Sequence, residues 1–246
     1  AAMLAGVLSG FVTAILQTKM GVNSLLAGII VNTALYSVNI AVMGNSSLLN
    51  MNRTETVFTV LRDALKETAF ADTYRLIIAA AAVLLVGLFL AFFLKTRLGL
   101  AIRATGNNPD MVRSSSINPT VTTIIGLCIA NSFTALSGCL LAQSQKSVNI
   151  DIGTGMVTVA LASLLIGSVF LGKRKIPLRI VGMVLGALVF RLVYTVALRF
   201  HMPAFMLKFV SSVIVVIAIS LPYLKKQLPL AVRRLKKRFG RSSTNA

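Results

Sequence analysis

Apolar residues in this chain come in long runs broken by short polar stretches, not in the short alternations of half-buried elements. Seven runs are long enough, or nearly so, to cross a bilayer, where about 20 apolar residues make one spanning helix. They cover residues 1–17, 21–43, 76–94, 120–142, 156–172, 177–198 and 205–224, with the first and fifth the shortest. The pattern predicts an all-α polytopic membrane protein with at least seven transmembrane helices. Composition agrees: 56% of residues are hydrophobic and 13% charged, against about 25% charged in soluble domains.

The net charge of +19 would first suggest nucleic acid, but its placement points elsewhere. Lys and Arg cluster between the apolar runs and after the last one, which is how membrane topology is written. The third connection holds Lys95, Arg97, Arg103 and Arg113 against Asp110 alone. The fifth holds Lys173, Arg174 and Lys175 unopposed, and the tail is strongly basic. In the second, Arg53, Arg62, Lys66 and Arg75 are cancelled by Glu55, Asp63, Glu67 and Asp72; in the fourth, Lys146 is cancelled by Asp151. Odd connections and the C-terminus are therefore expected in the cytoplasm. The first run then starts outside, at Ala1-Ala2, and the expectation is a chain truncated at its N-terminus, with a cleaved signal peptide as the alternative.

Titratable chemistry is missing from the spans. All six acids lie in connections, and the single histidine, His201, lies in an outer loop. Proton relays place Asp, Glu or His inside the membrane, and catalysis or metal binding needs clustered ligands. The expectation is neither an enzyme nor a cofactor protein. A passive channel or facilitator, a scaffold, or a permease driven from outside the bilayer remains. An ion-coupled secondary transporter would have to rely on backbone carbonyls.

Polar residues within the runs are candidates for a translocation path: Asn32 and Asn39, seven apart on one helical face, Asn131 and Ser132 in mid-span, and Arg191. Each either lines a solute path or bonds a neighbouring helix. Lys208 can snorkel to the surface. Gly6-xxx-Gly10 and Gly182-xxx-Gly186 allow close helix approach. Cys128 and Cys139 are about 16 Å apart along a helix, too far for a disulfide.

The third connection, residues 96–119, reads TRLGLAIRATGNNPDMVRSSSINP and is too elaborate for a simple link. Asn108 suits an N-cap, Pro109 the first helical position and Asp110 the positive end of the helix dipole. A short helix from Pro109 to about Ser115 is predicted. It projects toward something soluble or lies on lipid headgroups.

Here the chain resembles a known family. The run L-G-x-A-I-R-A-T-G-N-N-P-x-M is similar to a cytoplasmic segment of bacterial ABC-importer permeases of the branched-chain amino acid and ribose type. The stretches G-T-G-M-V-T-V-A-L-A-S-L-L-I-G and L-A-G-I-I-V-N-T-A-L-Y-S-V-N-I-A-V-M-G resemble further parts of it, the latter in an amino-acid-type subgroup. The resemblance covers roughly residues 1–225. It implies a permease in the bacterial inner membrane that imports a small solute, an amino acid by preference, with ATP used by a partner subunit. The implied partners are a cytoplasmic ATPase dimer, a second permease copy and an extracytoplasmic solute-binding protein. By position, the resemblance makes Arg103, Gly106, Asn107, Asn108, Pro109, Asp110, Met111 and Arg113 the coupling helix that docks on the ATPase. Ser116 stands where relatives commonly have Gly, a departure expected to weaken the geometry after that helix. Ser168 replaces an acid common in the subgroup.

The domain division is a transmembrane permease domain over residues 1–224 and a basic tail over 225–246. Within the tail, Leu228, Val232, Leu235 and Phe239 recur at helical spacing among Lys and Arg. It reads as an amphipathic helix on anionic membrane lipid or as a solvated topological anchor.

Overall fold

The computed structural model describes residues 1–52, 54–64, 73–153, 156–171 and 176–199, with isolated positions 209, 212, 213, 216 and 220. Most of these residues are helical. Two compact units result, Ala1–Ile152 and Gly153–Ala246. The first holds α1 (Ala2–Thr18), α2 (Ser24–Val42), β1 (Leu48–Asn50), α3 (Val57–Ala64), α4 (Tyr74–Phe93), α5 (Arg97–Asn107), α6 (Pro109–Ser114), α7 (Pro119–Gln145) and β2 (Ser147–Asn149). A single 3-10 turn, Ile150–Gly153, leads out of it, and the second unit holds α8 (Met156–Leu171) and α9 (Ile176–Arg199).

Among the described residues four helices are long and apolar enough to cross a membrane: α2, α4, α7 and α9. The first and fifth apolar runs form α1 and α8, and both fall short of that length. Gln17, Thr18 and Lys19 end the apolar surface of α1. The seventh run lies almost wholly outside the described residues, as do Lys208, His201 and the basic tail. The description thus reaches four of the seven expected crossings.

Large apolar side chains point outward. Leu85 and Phe92 of α4 are 70% and 75% exposed, and among the described residues no large side chain is fully buried. Water does not tolerate such a surface over whole helices; hydrocarbon does. In that solvent helices gain little from hydrophobic attraction and associate through close packing of small residues.

The contacts follow that rule. Gly6 and Gly10 set α1 directly on α7: a Cβ on Gly6 would lie 2.5 Å from the Asn131 carbonyl oxygen, and one on Gly10 2.7 Å from that of Leu127. In the second unit, a Cβ on Gly186 of α9 would collide with the Ser163 carbonyl oxygen, and one on Gly167 of α8 with that of Gly182. Both expected small-residue motifs therefore make backbone contacts. Cys128 and Cys139 are free and half-buried.

The second connection carries structure of its own. β1 pairs antiparallel with β2, Leu48 opposite Asn149 and Asn50 opposite Ser147. This short ladder amends the all-α class. α3 begins at a reciprocal cap, in which Thr56 N–H donates to Thr59 Oγ1 (2.7 Å) and Thr59 N–H to Thr56 Oγ1 (3.2 Å). Val57 N–H donates to Gln143 Oε1 at 3.2 Å, tying α3 to the end of α7. The second and fourth connections thus meet at one end of α7, and α5 and α6 stand at the other. The 27 residues of α7 separate them by roughly 40 Å, enough to cross a bilayer. The two neutral connections share one side and the basic third connection occupies the other, in keeping with the charge pattern.

Gly10→Ala is expected to cost about 1–3 kcal/mol through overpacking, because the atoms it meets are α7 backbone. Gly28→Ala, where an added Cβ meets nothing within 4 Å, is expected to be neutral. Unfolding midpoints in detergent of the two variants check this.

Candidate functional site: a capped helix pair at one end of α7

The α5–α6 element is built almost wholly from short-range hydrogen bonds. Thr96 turns the chain out of α4: its hydroxyl donates to Phe93 O (2.6 Å) and accepts from Gly99 N–H (3.2 Å). Gly99 then lies on the α4 terminus so closely that a Cβ would collide with Phe93 O and sit 2.6 Å from Leu94 Cα. Only glycine fits there. From this junction α5 runs to Asn107, a helix that the Gly- and Asn-rich sequence concealed.

Asn108 both ends α5 and starts α6. Its backbone is extended (φ −155°, ψ 100°) and its N–H donates to Ala104 O. Its side-chain Oδ1 accepts from Asp110 N–H (3.1 Å) and Met111 N–H (3.2 Å). Pro109 occupies the first helical position, with Asp110 in the first turn and Arg113 in the last. The predicted short helix is present, one residue shorter at its C-terminal end. Val112 is its single buried residue, 3% exposed.

The exit is a Schellman motif. Ile117 N–H donates to Val112 O (3.3 Å), Ser116 N–H donates to Arg113 O (3.2 Å), and Ser116 has φ +61°. This is the left-handed region, which a glycine enters without penalty. The loss of geometry expected from serine here does not occur, because the two hydrogen bonds hold Ser116 in that conformation. Asn118 then repeats the device of Asn108, its side chain accepting from Thr120 N–H (3.0 Å) with Pro119 following, and α7 begins.

All eight sequence-predicted coupling residues are brought together on this element, and all are exposed. Met111 is 66% exposed at its tip, an apolar side chain presented away from the bundle. Behind the element lies a cavity of about 540 Å³ lined by Gln17 and Thr18 of α1, Ile102 and Thr105 of α5, Arg113 of α6 and Thr122 of α7, among others.

The candidate path residues are not gathered in this way. Asn32 and Asn39 stand exposed on α2. Asn131 is half-buried and donates to Leu127 O (3.0 Å), while buried Ser132 donates to Ile129 O (3.0 Å), both within α7. Arg191 is exposed on α9, in the other unit, and Ser168 donates to Leu165 O at 2.8 Å within α8. Sequence reasoning missed a further polar contact, Thr105 Oγ1 to Thr122 Oγ1 at 2.8 Å. The two residues are 17 apart, and only the unseen helix α5 brings them together.

Membrane-length helices, with a capped helix pair at one end of α7, fit a multi-pass membrane protein. The family model of the branched-chain amino acid transport system permease component matches residues 1–219, and the chain belongs to that family. It is 29% identical to a tyrosine transport system permease protein of Clostridioides difficile (strain R20291), over 87% of this chain and 69% of the relative. It is 32% identical to an uncharacterized protein of Rickettsia prowazekii (strain Madrid E), over 68% of this chain and 56% of that relative. No solved structure matches it significantly.

Ser116→Gly is expected to stabilise the protein by about 1 kcal/mol, the strain relieved at a left-handed residue. Asn108→Ala is expected to destabilise it by about 1 kcal/mol through loss of the cap, with Asn108→Ser largely neutral. Hydrogen exchange at the Asp110 and Met111 amides and detergent unfolding midpoints report both.

Proposed function

We propose that this chain is the permease subunit of an ABC importer, carrying an amino acid inward through the bacterial inner membrane on energy from a separate ATPase. The single observation behind the proposal is the α5–α6 element. It is a capped helix pair that exposes all eight residues of the resembling motif, including Met111, at one end of the membrane-length helix α7. A passive channel has no use for such an element.

In this reading the basic third connection faces the cytoplasm, and α6 docks in a groove of the ATPase dimer. Closure of the ATPases on ATP pushes α6, and α5 and α7 carry the displacement into the spans. The spans alternate between outward- and inward-facing arrangements around a path shared with a second permease copy. An extracytoplasmic binding protein delivers the solute to the side where β1, β2 and α3 lie.

The amino acid preference draws on the name of the Clostridioides relative. Within the first unit the candidate path residues offer neutral amides (Asn32, Asn39 and Asn131) and the hydroxyl of Ser132, and no acid lies within the spans. Amides bind a zwitterion through both its ammonium and its carboxylate without imposing a charge. Asn32 and Asn39, exposed on a membrane-length helix, are the first candidates for that contact.

The test is ATP-driven uptake of labelled tyrosine by proteoliposomes holding permease, ATPase and binding protein. Replacing residues 107–111 with a Gly-Ser linker is expected to abolish uptake while the protein still inserts. The permease alone is expected to hydrolyse no ATP. Uptake that survives the replacement, or collapses with an ionophore at constant ATP, would sink the reading.

A further inference from the structure

We infer that Thr105 and Thr122 form a releasable joint between the coupling element and α7, on which the swing of α5 during transport depends. The inference rests on the ABC reading above and deepens it. Thr105 Oγ1 lies 2.8 Å from Thr122 Oγ1 and 2.8 Å from Ala101 O in its own helix. Thr122 Oγ1 lies 3.0 Å from Pro119 O and 3.4 Å from Asn118 O, likewise in its own helix. Thr122 is 6% exposed and Thr105 is half-buried, so a hydroxyl left unpaired here costs free energy.

The proton count decides how the joint behaves. Each hydroxyl has one proton to donate. With the helices together, one hydroxyl donates across the gap and the other donates home to its own carbonyl, two bonds in all. With the helices apart, each donates home, again two bonds. The joint therefore opens without losing a hydrogen bond and without stranding a buried polar group, whereas a salt bridge or an amide pair would do both.

The surroundings suit that motion. The opposite end of α5 is held by the backbone contact of Gly99 with Phe93 and Leu94 and by the Thr96 hydroxyl, so it serves as the pivot. At the Thr105 end, the neighbouring contact on α7 is soft, Ile102 Cγ2 lying 3.2 Å from where a Cβ of Gly126 would be. The cavity of about 540 Å³ is lined by Ile102, Thr105, Thr122 and Gly126 among others, which provides room for the end of α5 to move. Thr105 and Thr122 act here as positioning residues: they set where α6 stands relative to α7.

The test uses the assembled transporter with Cys128→Ala and Cys139→Ala. In the Thr105→Cys/Thr122→Cys variant, oxidation to the disulfide is expected to lower ATP-driven tyrosine uptake by roughly tenfold or more, the scale of a coupling free energy, with recovery on reduction. A second measurement places nitroxides at exposed Ala104 and Val121 through Ala104→Cys/Val121→Cys. Their separation is expected to shift by roughly 2 Å or more between nucleotide-free and ATP–vanadate states, the scale of helix shifts in switching transitions. An oxidised form that transports as well as the reduced one, or an unchanged separation, overturns the joint. Uptake by the reduced form that ignores ATP overturns the ABC reading instead.

Discussion

Hydrocarbon around this chain offers helices no hydrophobic reason to associate, so the structure depends on how closely backbones can meet. The contact between α1 and α7 carries most of that burden in the first unit. Gly6 and Gly10 bring one helix onto the carbonyls of Leu127 and Asn131 of the other, and many small dispersion terms replace the missing solvent drive. The second unit solves the same problem with the same residue type, Gly167 against Gly182 and Gly186 against Ser163. With α1 fixed on it, α7 becomes the spar to which both of its ends are referenced.

What stands at those ends is held by a different force. Outside the hydrocarbon the chain is watery and polar, and order comes from local hydrogen bonds. Asn108 and Asn118 cap successive helices, each followed by proline, and the Schellman turn at Ser116 lies between them. These caps satisfy amides that would otherwise fray. They let a helix of six residues, α6, keep one conformation with a single buried side chain, Val112. Order in α6 thus comes from caps rather than from a core.

Features written in long stretches were legible from sequence. Four membrane-length helices follow from apolar runs, and α6 from Asn-Pro-Asp. The glycine contacts were legible as motifs, although nothing in their spacing told which partner each would meet. Three features were hidden for physical reasons. α5 contains Gly99, Gly106 and Asn107, poor helix formers, and is sustained by its Thr96 cap and its junction with α4. β1 and β2 are three residues each, too short to carry a period. The Thr105–Thr122 contact needed α5 to exist before it could be imagined. The segment around Asn108 stood out through its resemblance and its caps; its contact with α7 was found only in the structure.

The ladder between Leu48–Asn50 and Ser147–Asn149 has a consequence for how the molecule is made. Synthesis proceeds from the N-terminus, so β1 is complete long before the residues that pair with it have been translated. Until α7 has been threaded across the bilayer in full, β1 has no mate, and the loop after α2 stays unfastened. Closing the ladder needs the far end of α7 on the correct side, with Leu48 opposite Asn149. A span inserted backwards leaves that edge open. The six residues of the ladder can therefore pair only once α7 is complete and its C-terminal end lies on the side of β1.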